Sequence, residues 1–393
     1  SIPLTSSVTN TANTQDKLVG NSYTIKIEPY TSGDKKAFYC KLPYQIDTTK
    51  TLAQNLIDSG WLWQSGLEGD GYRYVGTGEY QCSYNNGKYV TTSGANGCLS
   101  LMYDEYSEKL TLDSNGQVKL STSPNNFICF GTTDKTECTA NQDKYMYRVL
   151  GVFSDAKGEN HVKLIKYKQL GKYSWNDTND DVNWEDSTLY ASLNGSGFLT
   201  NTTYDYLQNT EWSNKIENWT WSAVNTKTWE DQTNNTDYYN STTKGIYLNE
   251  MHKASSETLC KNSGQTAINC NGGVWTNPVA KIGLMYASDY TLSLGPSALA
   301  LTTGTGKNQS LLTTGWMHQS NNDITKSAEE WTLARYGNHR GSFCAWKLYS
   351  EGYVLDNPML NPNAARPVFY LTSNAKTSGG DGSLNNPFMI KEA

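Results

Sequence analysis

Along residues 22–28 the chain alternates, with Tyr23, Ile25 and Ile27 on one side and Thr24 and Lys26 on the other, which predicts a half-buried strand. Leu52, Leu56 and Ile57 share one helical face and predict a short helix. The strongest supersecondary signal lies at 145–153 (YMYRVLGVF) and 161–167 (HVKLIKY), two apolar runs joined through Asp155 and Gly158. This predicts a β-hairpin. A second helix is expected after Asp186 or Ser187, which supply an N-cap, with Leu189 and Leu193 one turn apart and Asn194-Gly195 as a left-handed stop. Near Thr210, the i, i+4, i+7 spacing of Trp212, Ile216 and Trp219 predicts a third helix with a core-facing stripe. Residues 238–327 alternate loop with short apolar strings such as 281–286 (KIGLMY).

The first twenty residues are small and polar without periodicity and read as a linker. No low-complexity break follows it, so two parts are expected: residues 1–62 as linker, strand and short helix, and residues 63–393 as one domain. A chain of this length buries a sizeable core.

Only 18% of residues are charged and the net charge is -6, which argues against a nucleic-acid partner. No apolar run approaches the length of a bilayer span, and no leader is visible before Ser1, so a processed or trimmed chain is expected. The 8 cysteines lack the paired spacing of structural zinc sites. Sequence neighbours pair as Cys82 with Cys98, Cys129 with Cys138 and Cys260 with Cys270, leaving Cys40 with Cys344. Eight cysteines allow about 105 connectivities, so the map stays open, but an even count in a loop-rich chain favours disulfides and an oxidising compartment. Asn-X-Ser/Thr sequons such as Asn176, Asn194 and Asn308 agree with exposure outside the cell.

Catalytic signals are sparse. His161, His252, His318 and His339 are scattered and make no metalloprotease motif or nucleophile elbow. Asp177, Asn179 and Asp181 have the alternate spacing of a calcium loop, but Val182 stands where that turn needs glycine. No nucleotide-binding glycine loop occurs. No metal, cofactor or enzymatic activity is therefore expected, and a glycan hydrolase would need an acidic pair that the sequence does not single out. The positive signal is at 329–346, where polar and aromatic residues fill a glycine-broken stretch between the anchors Trp331 and Phe343 with Trp346. Such a loop presents side chains from a fixed base.

The order of motifs at this end, Trp331-Thr-Leu-Ala-Arg335, Cys344-Ala-Trp-Lys-Leu-Tyr349, Gly352-Tyr-Val354 and Arg366-Pro-Val-Phe-Tyr370, resembles the closing segment of the C-type-lectin-like fold of formylglycine-generating-enzyme relatives and retroelement variable proteins. A closer resemblance, over about residues 70–390, is to uncharacterised secreted Firmicutes surface proteins often made with a type IV pilin-like leader. It is carried by strings such as 147–153 (YRVLGVF), 281–290 (KIGLMYASDY) and the Arg-Pro-Val-Phe-Tyr-Leu ending. The resemblance implies an α+β, C-type-lectin-like domain with short antiparallel strands, short helices and disulfide-clipped loops. Its final strand returns to the central sheet, with Pro367 at the start or edge of that strand and Arg366 tying a carbonyl or carboxylate to the core. By position, the ligand-contacting residues are Arg335, Tyr336, Asn338, His339, Arg340, Ser342, Tyr349 and Asn357. Cys344 has no close cysteine neighbour, unlike the reactive pair of the oxidase members. The expected protein is an extracellular or cell-surface adhesin, pilus-associated, whose partner is a host or neighbouring-cell protein or glycan. The alternative is a structural subunit of an extracellular filament that contacts identical copies.

Overall fold

The computed structural model describes residues 9–12, 23–26, 44–76, 79–85, 88–91, 110–112, 118–121, 124–180, 182–223, 242–251, 276–295, 298–299, 312, 315–318, 329–339 and 341–391. The chain divides into two compact units, Ser1–Tyr44 and Gln45–Ala393. In the first, Tyr23–Lys26 forms the expected strand and pairs antiparallel with Thr9–Ala12, which lies inside the stretch read as a linker. The boundary falls earlier than residue 62. Helix α1 (Leu52–Asp58), capped by Thr51, buries Leu52, Ala53 and Leu56 in the core of the second unit.

That unit is a mixture of short helices and several small sheets. Its central sheet contains β1 (Phe127–Cys129), β2 (Met146–Ser154) and β3 (Asn160–Lys166). The second sheet is built on β4 (Glu330–His339), β5 (Ser342–Leu348) and β6 (Val354–Pro358). The central sheet is completed by β7 (Val368–Tyr370), β8 (Thr377–Gly379) and β9 (Phe388–Ile390), in the order β7-β3-β2-β1-β9-β8. The hairpin read at 145–167 is present as β2 and β3, antiparallel from Tyr147 opposite Lys166 to Ser154 opposite Asn160. Residues 146–152 are buried without alternation, as in a strand covered on both faces. Gly151 sits at a register shift, where a Cβ would lie 2.0 Å from the Tyr72 carbonyl oxygen, so glycine admits the neighbouring strand Tyr72–Arg73.

The returning strand is present as well. β7 pairs antiparallel with β3 at the sheet edge, and Pro367 stands just before it, its carbonyl accepting the Lys166 amide at 2.9 Å. β9 then runs parallel to β1. Helix α2 (Lys135–Ala140) is tied to β1 by the disulfide Cys129–Cys138. Beside it Phe130 is fully buried, with Trp212 and Phe369 rings at 5.2 and 5.1 Å.

Two helix expectations need correction. Ser187 does cap α3 (Thr188–Leu193), but Asn194 ends it with φ -87° and Gly195 is not left-handed. α4 (Thr210–Ser213) is a single turn, so the Trp212, Ile216 and Trp219 stripe is not one helix face. Trp212 and Ile216 are core residues, whereas Trp219 is half-buried in a strand paired with Val279–Ala280. The string at 281–286 runs buried into α5 (Ala287–Leu292), where burial had not been read.

A buried charge network holds α5 to the central sheet. Asp289 lies 2.6 Å from Lys163 on β3 and 2.7 Å from Arg73, which also reaches Asp70 at 2.8 Å. Burial lowers the Lys163 ammonium although Asp289 opposes it. Asp289 stays below the ordinary carboxylate range despite burial because Lys163 and Arg73 favour its charge. No helix among the described residues is long and apolar enough to cross a membrane.

Candidate functional site

The stretch read as a recognition loop is a strand hairpin. β4 and β5 pair through Asn338 opposite Phe343 and His339 opposite Ser342, with Gly341 in the turn at φ 84°. That positive φ is what glycine adopts without strain. At the root, Trp331 and Trp346 are fully buried; Trp331 Nε1 donates to the Tyr173 carbonyl at 2.7 Å, and the Trp346 carbonyl accepts from Thr332 Oγ1 at 3.0 Å. Of the expected anchors, Trp331 and Trp346 stand at this root, whereas Phe343 is half-buried beside the turn, opposite Asn338.

Along β4 the register slips on both sides of Arg335. Such bulges re-aim side chains, and Gly337 in the strand is their sequence mark. Arg335 is turned inward, only 7% exposed, donating to the Val182 carbonyl at 3.1 Å. Asn357 on β6 is also buried, its Oδ1 accepting from Asn361 at 2.8 Å. Both stand opposite Ala345, one on each side of β5, and both are committed to the fold. They are removed from the surface where ligand contact was expected.

Ser342 is half-buried beside the turn. Tyr336, Asn338 and His339 lie on the distal half of β4. Arg340 lies outside the described residues. Tyr349 follows the other end of β5, seven residues from Ser342, so at ~3.4 Å per residue it stands roughly 24 Å from the turn. It stacks on Tyr353 at 4.7 Å and donates to the Asp356 carbonyl at 3.0 Å. One compact ligand does not span both ends; the structure brings together 336–339 and 341–342 and leaves Tyr349 apart.

A residue that sequence reasoning assigned elsewhere braces this turn. Asn179, from the acidic stretch considered for calcium, donates through Nδ2 to the Gly341 carbonyl at 3.2 Å and accepts the Phe343 amide on Oδ1 at 2.9 Å. Asn179 and Gly341 are 162 residues apart. The same stretch supplies the Val182 carbonyl to Arg335, and Asn176 Oδ1 accepts the Thr188 amide at the start of α3. Asp181 lies outside the described residues. An Asn that satisfies one donor and one acceptor of a distant turn leaves no local signature, so only the fold reveals it.

Of the expected cross-links, Cys129–Cys138 is made. Cys344, in the centre of β5, carries a thiol that donates to the Ser342 carbonyl at 3.5 Å, where a bridge to Cys40 was expected. Cys40, Cys98, Cys260 and Cys270 and the side chain of Cys82 lie outside the described residues.

Among the other histidines, His318 is buried with Nε2 3.0 Å from the Ser350 carbonyl, and His161 is buried against the Leu371 carbonyl at 2.9 Å. Comparison of the chain with family models, curated proteins and solved structures gives no match.

Proposed function

We propose that this chain is an extracellular surface-binding protein in which a C-type-lectin-like domain presents the turn between β4 and β5 to a protein or glycan on another cell. The observation that carries this reading is the bracing of that turn. Its root is fixed by two fully buried tryptophans, and its tip is held by two hydrogen bonds from Asn179 while Gly341 itself is exposed. A turn ordered in advance loses less entropy on binding, and the saving appears as affinity. The tyrosine, serine, asparagine and arginine of 335–342 are the types that supply contact area and adaptable hydrogen bonds at low entropic cost.

The disulfide, the succession of the Trp331 strand, the Gly352-Tyr-Val354 segment and the Arg366-Pro strand, and the edge position of β7 support the lectin-like and extracellular parts of the reading. The ligand contacts are carried by Tyr336, Asn338, His339, Arg340 and Ser342; Arg335 and Asn357 support them from behind.

The test is an array of glycans and cell-surface proteins probed with the full chain and with the triple substitution of Tyr336, His339 and Arg340 by alanine. The expected result is capture by the parent chain and its loss in the variant at an unchanged melting temperature. Capture that survives the triple substitution would overturn the proposal. Deleting residues 1–30 should leave capture intact; loss of self-assembly instead would favour a filament subunit.

A further inference from the structure

The turn between β2 and β3 gathers three ligating side chains. Asp155, Glu159 and His161 each bring a donor atom within 4.8 Å of the other two. Asp155 Oδ1 is used by the turn, accepting the amides of Lys157 at 2.9 Å and Glu159 at 2.8 Å. Its Oδ2 faces His161 Nε2 at 3.9 Å. Glu159, exposed at the rim, accepts from Ser373 Oγ at 3.1 Å.

The histidine is what sets this cluster apart from an ordinary acidic turn. His161 is 2% exposed, and its Nδ1 lies 2.9 Å from the Leu371 carbonyl oxygen. A carbonyl only accepts, so Nδ1 carries the proton, and in the neutral ring Nε2 presents a lone pair. Nε2 is buried without a hydrogen-bond partner. It faces a carboxylate oxygen that is also an acceptor. The ring is held in that orientation, with Trp219 edge-on at 5.3 Å and itself stacked on Tyr370 at 3.7 Å. A histidine whose far nitrogen donates to a backbone carbonyl while its near nitrogen points at carboxylates has the outer-shell arrangement of a metal ligand.

We propose that His161 Nε2 and the carboxylates of Asp155 and Glu159 form a site for a divalent transition metal of the zinc type. Two carboxylates and a neutral imidazole balance a divalent charge. The imidazole favours zinc-like ions over calcium or magnesium, which take oxygen alone. Three protein ligands leave a fourth tetrahedral position for water or a donor from a bound molecule. The sequence named no metal because the three residues match no recognised ligand motif; the fold brings them together at the turn of the hairpin and buries the ring. The alternative is an imidazolium at position 161 paired with Asp155 alone.

The experiment uses the full chain stripped with a chelator. Zinc is titrated by calorimetry, and cobalt is followed by its visible ligand-field absorption. One equivalent should bind, with a nitrogen-oxygen cobalt spectrum. Asp155→Asn keeps an acceptor for the two turn amides, Glu159→Gln changes an exposed group, and His161→Gln removes the ring nitrogen. Each should weaken binding tenfold or more, while circular dichroism shows the first two still folded. Absence of saturable binding at one equivalent, or affinity unchanged in both Asp155→Asn and Glu159→Gln, would overturn the site and leave the imidazolium pair.

Discussion

Arg366 and Glu330 meet inside the protein with both side chains fully buried, the guanidinium Nε 2.9 Å and Nη2 2.8 Å from the carboxylate. Arg366 lies between Asn363–Ala364, a strand of the second sheet, and β7 of the central sheet, while Glu330 begins β4. The pair thus ties together the place where the chain crosses from one sheet to the other. Burial pushes the Glu330 carboxyl up, and Arg366 opposes that by favouring its charge. Removing one partner leaves a buried charge, so Arg366→Met should destabilise by about 3–5 kcal/mol. Arg366→Met with Glu330→Leu should recover most of that loss. Urea unfolding of the parent and the two variants checks this; a double variant no better than the single one would mean the pair contributes beyond mutual neutralisation.

The Cys129–Cys138 bridge closes a short loop between β1 and α2. Closing a loop of that length is worth about 2–3 kcal/mol through the unfolded state. Alanine at both positions should lower stability by at least that amount, since both side chains are fully buried. Denaturant midpoints under oxidising and reducing conditions measure it, and equal midpoints would contradict the expectation.

Lys166 gives a pH dependence. Its Nζ is buried, donating to the carbonyls of Lys144 at 3.1 Å and Met146 at 3.3 Å. Burial pushes the ammonium down to about 7; Asp143 partly opposes this and Lys168 adds to it. In the unfolded chain the group titrates near ~10.4. Between those values the unfolded chain holds a proton that the folded chain has released, so stability rises with pH, by up to about 1.4 kcal/mol per unit from this group. Below the lower value both states are protonated and the contribution is flat. Unfolding at pH 7, 8 and 9 should show the rise in the parent and less of it in Lys166→Met; parallel profiles would refute it.

Asn179→Ala removes both hydrogen bonds to the turn between β4 and β5. Because Asn179 is exposed, the melting temperature should move little. Ligand capture should weaken about three- to thirtyfold, mainly through faster dissociation. Surface plasmon resonance with the captured ligand resolves the two rates.

What could be read from residues alone follows from where the information lies. The β2–β3 hairpin was legible because two apolar runs flank a short turn, so pairing and signal are both local. Arg366 was legible as a tether, but its partner stands 36 residues earlier, and nothing in the intervening chain singles out Glu330 from other acids. The turn at Gly341 was mistaken for the centre of a loop because glycine and polar residues mark loops and bulged hairpins alike. Thr9–Ala12 was missed because TNTA has no apolar alternation. Trp219 seemed to extend a helix because its spacing fits one; the helix stops at Ser213, and the ring instead packs on Tyr370. Arg335 and Asn357 are withdrawn by bulge and burial and Tyr349 by its place at the far end of β5, all of which depend on register rather than on residue type.

The parallel docking of β9 beside β1 bears on how the protein is made. Phe388, Met389 and Ile390 fill an interior position of the sheet between strands translated earlier, and β1 precedes them by some 260 positions. While the ribosome is still short of those codons, β1 and β8 each keep an open edge, so a nascent chain waits for β9 before the sheet can close. Pairing across so much sequence is slow to find. A chaperone therefore has a window in which to act on an unfinished sheet, and a stop codon ahead of Phe388 would make that unfinished state permanent.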